Sequence, residues 1–128
     1  MSLLLGLDFG TGGVRVGVFD LATRRMRGER EESYDTAYPR PGWAEQSPLD
    51  WWQALGRATR ALLRDLGSPE IAGICVATTA STVVVCRKDG TPLRPALLWM
   101  DCRAAAEAGR SAASENPVMQ YVGGSNAA

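Results

Sequence analysis

The chain has 128 residues, of which 14 are basic and 14 acidic, with 45% hydrophobic residues, 22% charged residues and no histidine. That balance weighs against a nucleic-acid or polyanion surface, which needs clustered excess Lys and Arg. No apolar stretch approaches the ~20 residues of a membrane span, and the first residues lack the pattern of a secretory leader.

Leu3–Leu7 is a nearly continuous apolar run that ends at Asp8 and predicts a strand over 3–8. Gly10-Thr11-Gly12-Gly13 follows as a tight turn, and Val14–Phe19 alternates, with Val14, Val16 and Val18 on one side and Arg15, Gly17 and Phe19 on the other. A turn at Leu21–Arg25 leads to a third strand over Met26–Tyr34, whose charge run from Arg27 to Glu32 reads as the solvated face of an edge strand. Tyr38-Pro39-Arg40-Pro41-Gly42 is a loop, because two prolines remove backbone donors. Ser47, Pro48 and Asp50 mark a helix start with Ser47 as N-cap. Trp51, Leu55, Ala58, Leu62 and Leu66 then form a stripe of 3.6-residue period, ended by Gly67-Ser68-Pro69.

Ile71–Val76 predicts a fully apolar, buried strand pairing parallel to the first, and Thr82–Cys86 a further strand. Lys88-Asp89-Gly90 turns the chain, Pro95–Trp99 continues the sheet, and alanine-rich Asp101–Ala112 is helical. Trp43, Trp51 and Trp52 read as packing residues, and Glu45 and Gln46 as structural loop anchors. Cys75, Cys86 and Cys102 are odd in number and lack C-x-x-C spacing, so they are expected to be buried or inert thiols of a reducing cytoplasm. Hairpins followed by a helix and another strand give a mixed α/β sheet with helices packed on it.

The chemistry concentrates at the first turn. Glycines let backbone N–H groups approach a phosphate closely, and successive N–H groups in such a turn form an anion-binding concavity. Thr11 adds a hydroxyl and Arg15 a cation. Asp8 would repel a bare phosphate, so it makes sense with Mg²⁺ or ordered water between them. The plainer alternative is a hairpin whose glycines only serve the turn, with Arg15 a surface partner of Glu29 or Glu31.

Three segments together carry a resemblance. Asp8-Phe9-Gly10-Thr11-Gly12-Gly13 with Arg15 resembles the first phosphate motif of the actin-like ATPase superfamily, in particular the FGGY carbohydrate kinases. Trp43-Ala44-Glu45-Gln46 before Trp51-Trp52 is similar to that family's W-x-E-Q stretch, and Trp99-Met100-Asp101-Cys102-Arg103 to its W-x-D-x-R segment. The three occur in family order, and the resemblance covers essentially the whole chain. It implies an actin-like (ribonuclease H-like) fold, a mixed sheet opened by an antiparallel meander. Residues 1–128 are then expected to be the N-terminal part of the first of two such domains, the rest of that domain and the second lying outside the chain. Tyr121-Val122-Gly123-Gly124 resembles an early point in the first domain of ribulokinase-type members.

The same resemblance implies an ATP-dependent kinase transferring the γ-phosphoryl to a hydroxyl of a ketopentose, ribulose-like, or of a related polyol. ATP and Mg²⁺ are the implied cofactors. The implied partners are the sugar and ATP, with no nucleic acid or membrane, and with room for a homodimer of the full-length protein. Asp8 would organise Mg²⁺ and phosphate, through water. Gly10, Thr11, Gly12, Gly13 and Arg15 would bind the ATP phosphates. Thr79, Ala80, Trp99 and Asp101 would lie on the sugar side. Asp101 and Arg103, two residues apart on a helix, would not face each other and would anchor loops or line the pocket edge. The general base, an Asp, and the adenosine-binding residues are expected outside the chain. Glycerol kinases carry an Arg-Glu pair and xylulokinases a Met-His pair where this chain has Thr78-Thr79-Ala80, which is closer to the ribulokinase type, although Ala77 stands where that type usually has Asp. Thr79 and Ala80 read equally well as a capping turn. For Trp99 the pocket is the preferred reading and a core residue the alternative. The alternatives are a xylulokinase, a glycerol kinase, or a non-catalytic actin-like nucleotide-binding module.

Overall fold

The computed structural model describes residues 2–114 and 117–118. Tyr121–Gly124, singled out above, lies outside the described residues. The chain divides into two compact units, Met1–Asp35 with Ser47–Ala80, and Thr36–Gln46 with Ser81–Ala128.

In the first unit the meander forms as its alternation dictates, with β1 (Leu3–Phe9), β2 (Gly13–Asp20) and β3 (Arg25–Ser33) in antiparallel sequence. Helix α1 (Pro48–Asp65) returns the chain to β5 (Ile71–Thr78), which pairs parallel with β1, giving the order β3-β2-β1-β5. The inward residues Val14, Val16 and Val18 are fully buried beneath Ala54, Ala58 and Leu62 of α1. Each valine is worth about 1.5–3 kcal/mol of hydrophobic stabilisation. Close approach of helix and sheet needs Gly28, where a Cβ would meet Leu62 Cδ1 at 3.1 Å. Asp20 is also buried, but its carboxylate accepts from the Thr23 and Ala22 N–H groups and from Arg27. The Thr23 N–H above all, with the other donors, holds its pKa below the ordinary value despite burial.

In the second unit β4 (Glu45–Gln46) pairs antiparallel with β6 (Ala96–Leu97), and Ala44, Ala96 and Leu98 are buried. Helix α2 (Ala105–Ala112) follows.

Several expectations need correction. Thr82–Cys86 is not a regular strand but half of an irregular hairpin, held by the bridges Cys86↔Pro92 and Val83↔Leu97 around the Asp89-Gly90 turn. Its partner segment contains Pro92 and Pro95, which cannot donate to a ladder. Pro95–Trp99 contributes only Ala96–Leu97, and to the two-stranded sheet rather than the main one. The Asp101–Ala112 helix begins at Ala105, because Asp101 spends its carboxylate on a turn, accepting from Arg103 N–H. Ser47 holds the N-cap position without a side-chain capping bond. Ile71–Val76 is not buried: among the described residues β5 is the outermost strand of its sheet, with Ile74 66% and Val76 59% exposed. All three cysteines are exposed. Trp51 packs against the core, whereas Trp52, one residue round the helix, is 73% exposed.

Candidate functional site

The first turn is placed by two ladders. In register, Asp8 lies opposite Arg15 and Arg15 opposite Glu31, so carboxylate, guanidinium and carboxylate cross the sheet in one line. Their separations are 3.8 Å for Arg15 to Asp8 and 3.6 Å for Arg15 to Glu31, with Asp8 and Arg15 side chains more than half exposed. Loose, solvated pairs of this kind contribute at most about 1 kcal/mol, so Arg15 can leave them for a stronger anion at small cost. The surface role for Arg15 is thus realised with Glu31, and it does not preclude the phosphate role.

The glycine loop itself is tightly held from one side. Gly10 N–H donates to Gly13 C=O at 2.9 Å, Tyr34 N–H donates to Gly12 C=O at 3.2 Å, and the Tyr34 hydroxyl lies 2.5 Å from Gly10 C=O and 2.9 Å from Gly13 C=O. Gly13 is required sterically, since a Cβ there would lie 2.7 Å from Glu32 C=O, while at Gly12 it would meet nothing within 4 Å. Tyr34 was missed in the sequence, where it read only as the end of a strand. The signal available was a tyrosine one residue past a charged edge strand, and it names no partner.

Parallel pairing then delivers the second segment. Phe9 is in register with Thr78, and Thr79 N–H donates to Phe9 C=O at 3.1 Å, so Thr79 and Ala80 follow the carboxyl end of β5 directly beside the turn that follows β1. Ligands of open α/β sheets gather at the carboxyl ends of adjacent parallel strands. Thr79 is half-buried and Ala80 exposed.

In the second unit Trp99 is 50% exposed. Asp101 behaves differently. Its side chain is 3% exposed and accepts from Ala44 N–H at 2.8 Å, from Arg103 N–H at 3.0 Å, and from the Arg103 guanidinium at 2.8 and 2.7 Å. The expectation that Asp101 and Arg103 do not face each other is therefore corrected: they are not on a helix, and they form a two-pronged pair. Arg103 in turn reaches Glu45 at 2.8 Å and stacks 3.7 Å from the Trp43 ring centroid. Glu45 also receives Arg94 at 2.9 Å, and Gln46 donates to the Thr36 hydroxyl. The Arg103 bonds hold the Asp101 carboxyl well below its ordinary range, and Asp101 raises the pKa of Arg103. The W-x-E-Q and W-x-D-x-R segments thus form one ionic lattice.

Among the described residues no group of three or more His, Cys, Asp or Glu side chains could hold a metal ion, and no helix is long and apolar enough to cross a membrane.

Comparison with known proteins gives the chain's relatives. The chain is 35% identical over 118 residues to the glycerol kinase of Cereibacter sphaeroides, covering 86% of this chain and 24% of that protein. It is 29% identical over 107 residues to the xylulose kinase of Staphylococcus xylosus, covering 84% and 22%. Among solved structures, the xylulose kinase of Rhodospirillum rubrum superposes with a TM-score of 0.84 at 25% identity, over 94% of this chain and 25% of that one. The chain therefore spans about a quarter of the length of these relatives. The model of the N-terminal domain of the FGGY family of carbohydrate kinases matches residues 3–121, and the fold is the actin-like one of those kinases. With this match and the ordered motifs on the same residues, the chain belongs to the FGGY family of carbohydrate kinases.

Proposed function

We propose that this chain carries the phosphate-binding loop and part of the acceptor site of an ATP-dependent kinase acting on a hydroxyl of a ketopentose or related polyol. The observation that carries the reading is the juxtaposition of the glycine turn after β1 with Thr79 and Ala80 after β5, bonded through Thr79 N–H to Phe9 C=O. A donor-phosphate loop and an acceptor segment at neighbouring strand ends are what phosphoryl transfer needs, since its catalysis is mainly positioning and charge stabilisation.

In this reading Gly10 makes the turn, and Thr11, Gly12 and Gly13 present backbone N–H groups to the ATP phosphates. Arg15 swings from its loose carboxylate pairs to a phosphate oxygen. Asp8 fits Mg²⁺ as a single carboxylate acting through water, the mode expected where the described residues offer no all-protein cage. When bound, Mg²⁺ supplies charge neutralisation at the phosphate oxygens. Thr79 and Ala80, after β5, are the acceptor-side residues of the first unit. Trp99, in the second unit, is the residue there with an apolar face and an indole donor suited to a sugar. Asp101, with its oxygens occupied, anchors its own loop through Arg103 and Ala44 rather than by touching the sugar. The proton of the attacking hydroxyl goes to an Asp outside these 128 residues, and neither Asp8 nor Asp101 takes that role. A homodimer of the full-length protein is a separate proposal, checked by light scattering.

A second reading, glycerol or xylulose as acceptor, is favoured by the names and identities of the relatives. The test is ADP release by the full-length protein with ribulose, xylulose, glycerol and other polyols. Strongest stimulation by ribulose supports the first reading, and by glycerol or xylulose the second. Nucleotide binding without any acceptor-dependent turnover would leave a non-catalytic module.

A further inference from the structure

Tyr34 is buried in the core beside Trp51, with ring centroids 6.2 Å apart, yet every polar group of it described above serves the glycine turn 21–24 residues earlier. Its hydroxyl lies within hydrogen-bond distance of the Gly10 and Gly13 carbonyls, and its N–H donates to the Gly12 carbonyl. All peptide bonds described here are trans, so each carbonyl and the N–H that follows it point in opposite directions. A Gly10 carbonyl turned to Tyr34 therefore sends Thr11 N–H away from Tyr34, and a Gly12 carbonyl turned to the Tyr34 backbone sends Gly13 N–H away. Left to themselves, three glycines in four residues would sample many other orientations.

We propose that Tyr34 is a positioning residue of the phosphate loop: by holding the carbonyls of Gly10 and Gly13 through its hydroxyl and that of Gly12 through its N–H, it fixes the orientation in which the loop amides meet the nucleotide phosphates. The proposal rests on the phosphate-loop reading above and deepens it. Burial, with the nearby Asp8 charge, pushes the Tyr34 phenol above its ordinary pKa, so the hydroxyl keeps its proton for donation throughout the neutral range.

Tyr34→Phe in the full-length protein keeps the ring on Trp51 and removes only the oxygen. The expected result is ADP affinity and ATP KM weakened about tenfold, the cost of one lost buried hydrogen bond and a loosened loop, with the KM for the acceptor unchanged. Hydrogen exchange over residues 9–14 without nucleotide should be faster. Trp51→Phe, which disturbs the same packing but leaves the hydroxyl, should lower Tm while leaving ADP affinity within twofold. Unchanged ADP affinity and exchange in Tyr34→Phe overturn the proposal, as does an equal loss of affinity in Trp51→Phe. A Tyr34→Phe protein that melts below assay temperature makes the hydroxyl a core requirement and overturns it too. If the wild-type protein binds neither ADP nor ATP, the phosphate-loop reading itself fails and takes the proposal with it. That outcome is told apart from the others because it shows in the wild type.

Discussion

Asp101 accepts hydrogen bonds from Ala44, from Arg103 N–H and twice from the Arg103 guanidinium, in a position almost closed to solvent. Those bonds favour the ionised form and depress its pKa in the folded state. A depressed carboxyl pKa contributes stability that is fully present above the unfolded value, near about pH 4, and is lost as pH falls through the folded value. Asp101→Asn should therefore melt several degrees below wild type at pH 7, and the gap should close as pH falls below about 4. Thermal melts of both proteins at pH 7, 5 and 3 check this, and a constant gap would show that charge is not the cause. Asp8 is the opposite kind of residue, more than half exposed with only one loose ion pair described for it. Its conformation costs the fold little, so Asp8→Ala should leave Tm nearly unchanged. In the full-length protein, on the proposed kinase reading, it should cut kcat by roughly 10²–10³, as for loss of one charge-stabilising group, with acceptor KM intact. A raised acceptor KM at normal kcat would place Asp8 on the sugar instead.

At the scale of elements, the two glycines at the tip separate structure from function. A Cβ on Gly13 would sit 2.7 Å from the Glu32 carbonyl, a backbone atom of β3 that cannot step aside, whereas one on Gly12 meets nothing within 4 Å. Gly13→Ala should thus pry β2 from β3 and destabilise by about 1–3 kcal/mol, in the range of overpacked sites. Gly12→Ala should shift stability by no more than about 0.5 kcal/mol and act only on nucleotide affinity. Denaturant unfolding beside ADP titration distinguishes them, and equal destabilisation by both would refute the steric account. The meander and the α1 stripe were legible because each is written in a local period that burial enforces on one face, whereas β5 was legible only as a bounded apolar run. Val14, Val16 and Val18 are the plainest case. What the pattern could not express was partnership at a distance. The run Val83-Val84-Val85 reads as a strand, but its partner carries Pro92 and Pro95 and the ladder fails. Asp101 and Arg103 were separated by assuming a helix that begins only at Ala105. Tyr34 has no local signature, since its bonds to the glycine turn exist only once β2 and β3 have paired.

At the scale of the whole molecule, the sheet of the first unit ends, among the described residues, on β5, which carries Ile74 and Val76 at 66% and 59% exposure. Trp52 and Ile74 also line an open groove with Leu5 and Leu55. Unpaired strand edges with exposed apolar side chains are templates for association. The relatives that this chain matches are about four times as long, since it covers 24% and 22% of their lengths. By the reading above, the general base and the adenosine site lie outside residues 1–128. The 128-residue chain by itself should therefore give no acceptor-dependent ADP release with any sugar in the panel, and it should self-associate at micromolar concentration. Ile74→Lys should reduce that association by charging the edge, with far-UV circular dichroism unchanged. Light scattering and coupled ADP assays on the same preparation check both halves. Steady turnover by the purified chain would mean that the base is among these residues after all, and monodisperse behaviour of the wild-type chain would mean that the β5 edge is not the sticky surface its side chains suggest.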